Sequence, residues 1–243
     1  MATEKLYLTS VESAYEVDFI AKVMAVEEQS IILDKTLFYP LGGGQECDTG
    51  YLETPSCSAS VTNVKGQKDI EHFVGHDHGF ELGDEVRGNI DWDRRYAHMR
   101  MHTAQHLVSA LVYEMFDGAR TVGNQIHHSR SRIDFNPIQF NEDMIGRIKD
   151  AFEELVSQKH PITTGTMTRE EINKIMPPER TNMNLLPKFI QDLRVVKIGD
   201  TIDLCPCAGT HVRNIDELGD FIPLGKKSKG KGTQRLSYTL SNL

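Results

Sequence analysis

Hydrophobic and polar positions alternate in short bursts over the first third of the chain. Residues 14–26, 30–34, 58–64, 70–74 and 85–90 are the candidate strands, and Gly42, Gly43, Gly44, Gly50, Gly66, Gly75 and Gly83 fall between them. Evenly spaced short strands with glycine turns predict a small β-barrel. The period changes at Asp91. Met101, Ala104, Val108, Leu111 and Met115 recur at intervals of three and four, so residues 95–116 are predicted to form a helix with one apolar face, stopped at Asp117-Gly118. A second helix is expected over 142–158, with Met144, Ile148, Phe152 and Leu155 as its stripe, Asn141 as its cap and Pro161 beyond its end. A third starts at the capping box Thr168/Glu171 and stops at Pro177. Further strands are expected at 131–135, 193–198 and 235–240. The fold class is therefore α+β, with an N-terminal small β-barrel over residues 1–91 followed by a mixed α+β core over 92–243.

Composition narrows the setting. Hydrophobic content of 39% and charged content of 26% over 243 residues describe an ordinary globular chain, not a disordered one. No stretch approaches the ~18 consecutive apolar residues of a membrane span. The N-terminal residues, with Glu4, Lys5 and Thr9, lack the apolar segment of a secretion signal. A cytoplasmic protein without membrane contact is expected, and with it reduced cysteines at 47, 57, 205 and 207. The net charge of −8 argues against binding nucleic acid through overall charge. It leaves room for a local basic patch, and Lys226, Lys227, Lys229, Lys231 and Arg235 supply one, interleaved with Gly225, Gly230 and Gly232. From charge alone this is equally a solvated, mobile loop.

Chemistry concentrates in three places. His102 and His106 stand four apart on the expected helix, on one face, with Cβ atoms about 5–6 Å apart, a spacing from which two imidazoles can reach one ion. His72 and His76 have the same spacing but lie at a strand end running into a glycine turn, and are read as surface residues. His98, one turn before His102, is assigned to packing or to a position behind the ligands. The second place is Cys205-Pro206-Cys207-Ala208-Gly209-Thr210-His211, where a cysteine and a histidine can wrap one ion. Cys207 makes the tighter loop with His211, with Cys205 as a competing ligand. Together the two segments offer His102, His106, Cys207 and His211, a nitrogen and sulfur set that suits Zn²⁺, one per chain, and not Mg²⁺ or Ca²⁺. Thr103 stands where a zinc peptidase of the His-Glu-x-x-His type carries its glutamate, so peptide hydrolysis is disfavoured. The third place is Phe38-Tyr39-Pro40-Leu41-Gly42-Gly43-Gly44-Gln45, whose glycines permit close approach of backbone N–H groups to an anion or to another backbone segment. A plain flexible hairpin fits that segment as well.

In this order, these segments resemble the editing half of alanyl-tRNA synthetase and its freestanding relatives, the AlaX-type editing proteins, over most of the chain. The glycine loop with Asp48-Thr49-Gly50, the join over 86–95, the two metal motifs, the segments Gly123-Asn124-Gln125-Ile126 and Arg132-Ile133-Asp134-Phe135, and the tail Lys229-Gly230-Lys231-Gly232 all fit. Ala208 replaces the first glycine of the usual Cys-Gly-Gly-Thr-His motif, and positions 120–122 lack the glutamine of the full-length synthetase. The resemblance implies a medium-sized member, with a glycine-rich-motif barrel domain over 1–91 and an editing (deacylase) core over 92–243. It implies an aminoacyl-tRNA deacylase that hydrolyses mischarged tRNA(Ala) in trans, mainly the seryl and also the glycyl form, without ATP. Thr103 is the candidate for recognising serine's hydroxyl. Gly42, Gly43, Gly44, Lys226, Lys227, Lys229 and Lys231 are the candidate tRNA contacts. A tRNA-binding module with a purely structural zinc is the alternative, and a small-molecule zinc hydrolase a third.

Overall fold

Nine strands precede the first helix among the described residues: β1 (Glu4–Lys5), β2 (Asp18–Val26), β3 (Ser30–Leu33), β4 (Lys35–Thr36), β5 (Gly50–Glu53), β6 (Ser58–Val61), β7 (Asn63–Lys65), β8 (Glu71–Phe73) and β9 (Glu85–Ile90). The computed structural model describes residues 2–180, 183, 186 and 190–243. Along β2, Phe19, Ala21 and Val23 are buried between exposed neighbours, the period-two pattern of a sheet with one covered face. Seven strands form an antiparallel sheet in the order β6-β5-β9-β2-β3-β8-β7 around a core that includes Phe19, Ile31, Leu33, Phe38, Leu52, Val86 and Ile90. The hydrogen-bond ladder does not close into the expected barrel. The two edge strands, β6 and β7, are instead consecutive in the chain, separated only by Thr62, whose N–H donates to Phe73 O at 3.0 Å. One segment thus bends from one edge of a curled sheet to the other. The expected stretch 14–26 begins as a 3-10 turn (Glu12–Tyr15), and only its second part pairs.

The second half opens with α1 (Trp92–Met115) and continues through β10 (Arg120–Gln125), β11 (Ser131–Asn136), α2 (Glu142–Ser157), β12 (Ile162–Thr168), α3 (Arg169–Ile175), β13 (Asp192–Ile198), β14 (Asp203–Pro206), β15 (Phe221–Gly230) and β16 (Thr233–Leu240). α1 starts earlier than its apolar spacing indicated, because the Asp91 side chain caps it by accepting from Arg94 N at 3.2 Å. It is buried on nearly every side from Arg95 to Val112, not on one stripe. α2 is amphipathic as expected, burying Ile145, Ile148 and Phe152, with Asn141 accepting from Met144 N at 2.8 Å. The Thr168/Glu171 capping box is formed at α3. β10-β11-β16-β15 make one sheet and β12-β13-β14 another. The lysine- and glycine-rich tail, expected as a loop, is the β15–β16 hairpin: its residues pair from Phe221↔Leu240 to Gly230↔Thr233, with Lys231 and Gly232 at the turn. No helix among the described residues is long and apolar enough to cross a membrane.

A fully buried ion pair joins the N-terminal sheet to α1. Arg95 donates to both carboxylate oxygens of Asp48 (3.1 and 3.0 Å from Nε), and also to Ala14 O and Leu37 O. Asp48 Oδ2 accepts from Tyr39 N at 2.6 Å as well. Such a pair stands only because its polar atoms are satisfied. It clamps the strand end before the glycine loop and the segment after it onto the helix that carries His102 and His106.

Candidate metal centre and its cavity

The helix places His102 and His106 one turn apart with ring centroids 5.2 Å from each other. The turn after β14 brings up Cys207 and His211, and one ligand atom from each of the four lies within 4.8 Å of the others. The sulfur of Cys207 is 3.5 Å from His102 Nε2 and 3.3 Å from His211 Nε2. Every histidine has its other ring nitrogen engaged from behind. His102 Nδ1 donates to Gln45 Oε1 at 2.7 Å and His106 Nδ1 to Asp203 Oδ2 at 2.9 Å. His211 Nδ1 lies 3.0 Å from Thr103 Oγ1, which also accepts from Val212 N at 3.3 Å. This is the arrangement of metal-ligating histidines, in which an acceptor on one nitrogen sets the tautomer and turns the other toward the ion.

The electrostatics agree with a cation. Burial pushes the Cys207 thiol up, but His102 and His211, with hydrogen bonds from His102 and His106, bring it well below its ordinary value. Burial works against the charge on His106 too, yet Asp203 and Cys207 raise it to about 10. Burial and the neighbouring His102 hold His211 down at about 3. A buried thiolate among three imidazoles is chemistry that a divalent soft-to-borderline ion satisfies. Cys205 stands outside the four: its thiol is pushed well up by burial and its sulfur lies 3.7 Å from Pro206 O.

The glycines explain which departures the motif bears. A methyl group on Gly209 would sit 2.1 Å from the His102 ring, so that position admits no side chain. Ala208 beside it is exposed. In the glycine loop, Gly43 and Gly44 have φ of +58° and +87°, and a methyl on Gly44 would meet Asn124 Oδ1 at 1.9 Å. Gly44 O accepts from Ile126 N at 2.7 Å, so the loop docks on β10 by close backbone approach. That docking sets Gln45, fully buried, between His102 and Thr210 Oγ1 (3.1 Å).

A cavity of about 430 Å³ opens over this centre. His102, His106 and Cys207 line it together with Gly42 and Gly43, and one wall is polar: Gln105, Ser109, Thr121 and Asn124. Gln105 Nε2 donates to Ser109 Oγ at 2.9 Å, and Ser109 Oγ is 2.7 Å from Thr121 Oγ1. Thr103 lies elsewhere than the mouth at which it was expected: it is fully buried behind His211 and is not part of the cavity wall. A second groove holds Arg130, Arg132, Lys226, Lys227 and Arg235. In it Lys226 is occupied by Phe140 O (2.7 Å) and Arg235 by Asp134 (2.7 and 2.8 Å), while Lys229 and Lys231 stand exposed on the hairpin end.

His72 corrects a surface reading. It is fully buried in the first sheet, its Nε2 2.8 Å from Thr36 Oγ1 and its Nδ1 3.3 Å from Ile31 O. Spacing arguments missed Gln45, Asp203 and the Gln105–Asn124 wall, although Gln45, Gln105 and Asn124 each sat in a segment already singled out.

Two family models match the chain: tRNA synthetases class II (A) over residues 5–94, and the threonyl and alanyl tRNA synthetase second additional domain over residues 193–237. The chain is 36% identical to the alanyl-tRNA editing protein AlaX-M of Methanosarcina barkeri, across 98% of this chain and 99% of that protein. It is 37% identical to AlaX-M of Saccharolobus solfataricus, with coverage of 98% and 99%. The alanine–tRNA ligase of Thermococcus kodakarensis is 33% identical across 93% of this chain and 25% of its own length.

Proposed function

The chain belongs to the AlaX-M alanyl-tRNA editing proteins, and from that membership we propose that it deacylates mischarged tRNA(Ala) in trans, with serine as the main misplaced amino acid and glycine as the second. The observation that carries the reading is the shared cavity: three of the four candidate ligands and two glycines of the docking loop face one space. A purely structural site needs no such space beside it. His102, His106, Cys207 and His211 would hold one Zn²⁺, which when bound supplies Lewis acidity for an ester carbonyl or a water. Gln45, Asp203 and Thr103 fix the three imidazoles. In this reading Thr103 acts through His211, and serine's hydroxyl is met by the Gln105–Ser109–Thr121–Asn124 wall. A site that hydrogen-bonds a hydroxyl rejects the analogue lacking it, because its polar groups are then left unpaired. The curled N-terminal sheet serves as a barrel-like unit over residues 1–91 that delivers Gln45 to the core over 92–243. The groove at Lys226 and Lys227, with Lys229 and Lys231 at the hairpin end, takes tRNA phosphates, and Gly42 and Gly43 lie where the acceptor end would enter.

The test is deacylation of seryl-, glycyl- and alanyl-tRNA(Ala) by the purified protein, with zinc content measured on the same sample. Hydrolysis of the seryl form, with alanyl-tRNA(Ala) spared, is expected. Tight tRNA binding without turnover in the zinc-loaded protein would replace this reading with that of a binding module.

A further inference from the structure

A second cluster of ligand-type side chains is separate from the centre already described. Glu46, His98 and His128 each bring one ligand atom to within 4.8 Å of the others. Glu46 follows the residue that orients His102; His98 is on α1; His128 is in the turn between β10 and β11. His98 is fully buried, and neither of its ring nitrogens has a hydrogen-bond partner. Its Nε2 faces Glu46 Oε2 at 3.5 Å, and His128 Nδ1 stands 3.7 Å from the same oxygen. These separations are too long for good hydrogen bonds. They are close to the roughly 3.4 Å that separates two ligand atoms each about 2.1 Å from one ion in tetrahedral geometry.

We propose that Glu46, His98 and His128 form a second binding site for a divalent transition-metal ion. Two imidazoles and a carboxylate suit Zn²⁺, Co²⁺ or Ni²⁺ and give too few oxygens for Mg²⁺ or Ca²⁺. A buried, unpaired imidazole costs stability unless something satisfies it, and an ion is the partner that reaches His98 and the carboxylate together. Burial keeps His98 neutral, its ring held down at about 4, so its lone pair is available. His127 Nδ1 sits on the other carboxylate oxygen at 2.5 Å and aims Glu46 from behind. Arg94 is the competitor: Nη2 donates to Glu46 Oε2 at 3.2 Å, and Nη1 lies 3.3 Å from His128 Nδ1. Its Nε also donates to Cys47 O at 3.1 Å, so the planar guanidinium must swing away as a unit for the ion to enter. His128 is half exposed, which leaves the ion a way in. Once bound, the ion staples the glycine loop, α1 and the β10–β11 turn together. This goes beyond the proposed deacylase reading and does not depend on it.

Co²⁺ titration of the metal-free full-length protein decides the matter, because a thiolate ligand gives an intense ligand-to-metal absorption band and a histidine–carboxylate site does not. Two equivalents are expected, one with the thiolate band from Cys207 and one without. His128→Ala and Glu46→Gln should each lose the equivalent that lacks the band and keep the other; both side chains are accessible enough for the variants to fold. His76→Ala, which removes an exposed histidine elsewhere, should keep both. Saturation of the wild type at one thiolate-marked equivalent would overturn the proposal, as would a second equivalent that persists in both variants. If no thiolate band appears but a single equivalent vanishes in His128→Ala, the second site stands and the first is the one misread.

Discussion

Two histidine pairs with identical sequence spacing end in different places. His102 and His106 converge, and with Cys207 and His211 they enclose a space fit for an ion. His72 and His76 diverge: the first is sealed in the sheet, the second stands more than half exposed beside Glu28. On a helix, positions four apart share a face one turn apart. On a strand they share a face only while the strand continues, and β8 ends at Phe73, so the chain turns before His76. Spacing is therefore informative about chemistry only once the backbone period is known. What surrounds each ring then decides its use. The converging rings are held by side-chain acceptors from Gln45, Asp203 and Thr103, and their second nitrogens point inward. His72 has both nitrogens engaged, one by Thr36 of β4 and the other by Ile31 of its own sheet, and none left for a ligand.

The sharpest way to break this contrast is to remove one ring from the converging pair. His106→Ala should strip the protein of metal and lower seryl-tRNA(Ala) hydrolysis by roughly 10²–10⁴-fold, the several kcal/mol that a metal contributes to stabilising charge in such a reaction. Elemental analysis and single-turnover deacylation check both halves. A His106→Ala protein with full metal content would show that the helical pair is not the centre.

The same contrast shows what could be read ahead of the structure. The convergence of both candidate ligand segments was legible because a 3.6-residue period marked the helix and a short Cys–His loop needs no long-range knowledge. The burial of His72 was also legible in principle: Ile70, His72 and Val74 alternate inward as one face of a strand, and only the emphasis on the following glycine hid it. β10 and β12, Arg-Thr-Val-Gly-Asn-Gln and Ile-Thr-Thr-Gly-Thr-Met-Thr, carry little apolar alternation because each lies largely open on one or both faces. The basic hairpin was missed for a like reason, since lysine and glycine are poor strand formers and its pairing with β16 comes from tertiary context. Asp203, which holds His106 from a strand ninety-seven positions away, leaves no local signal at all.

His72→Ala sharpens the comparison from the other side. Deleting a buried ring that is hydrogen-bonded at both ends should lower stability by roughly 2–4 kcal/mol, read as a reduced denaturation midpoint. Metal stoichiometry and the turnover of the folded protein should not change. The wild type carries a linked pH dependence. Burial depresses the His72 pKa to about 4 in the folded state, against an ordinary value near 6.5 unfolded. Between those values the unfolded chain binds the extra proton, so the stability contributed by neutral His72 is complete above about pH 6.5 and is lost as pH falls toward 4. The acid limb of the stability profile should be shallower in His72→Ala. An unaltered limb would assign the acid sensitivity to the other buried rings held below their ordinary value, His98 at about 4 and His211 at about 3.

Thr103→Val is a smaller change on the converging side, and it separates two roles for one hydroxyl. The valine keeps the shape and removes the oxygen that faces His211 and Val212 N. If Thr103 orients His211, metal affinity should drop by roughly 10- to 100-fold, the usual cost of losing a partner behind a ligand, while the preference for seryl- over alanyl-tRNA(Ala) is kept. If Thr103 reads serine's hydroxyl directly, the order reverses: metal is retained and the preference collapses. Zinc competition with a chelator and paired deacylation rates give the two numbers needed.

His76→Ala is expected to do least. Its Nδ1 lies 3.4 Å from Glu28 Oε1, with the two side chains 58% and 83% exposed. At that exposure water and salt screen most of the attraction, and ordering two solvated side chains offsets much of the remainder. The substitution should change stability by no more than about 0.5 kcal/mol, with metal content, turnover and tRNA affinity all at wild-type levels. Combined with His72→Ala it should add nothing beyond the single change, because the two rings share no hydrogen-bond partner and the strand ends between them. Thermal denaturation of the two single variants and the double variant closes that cycle. A coupling between the two sites clearly above 0.5 kcal/mol, or any loss of metal in His76→Ala, would mean that the strand-borne pair acts as a unit after all, and that helical periodicity was not what distinguished His102 and His106.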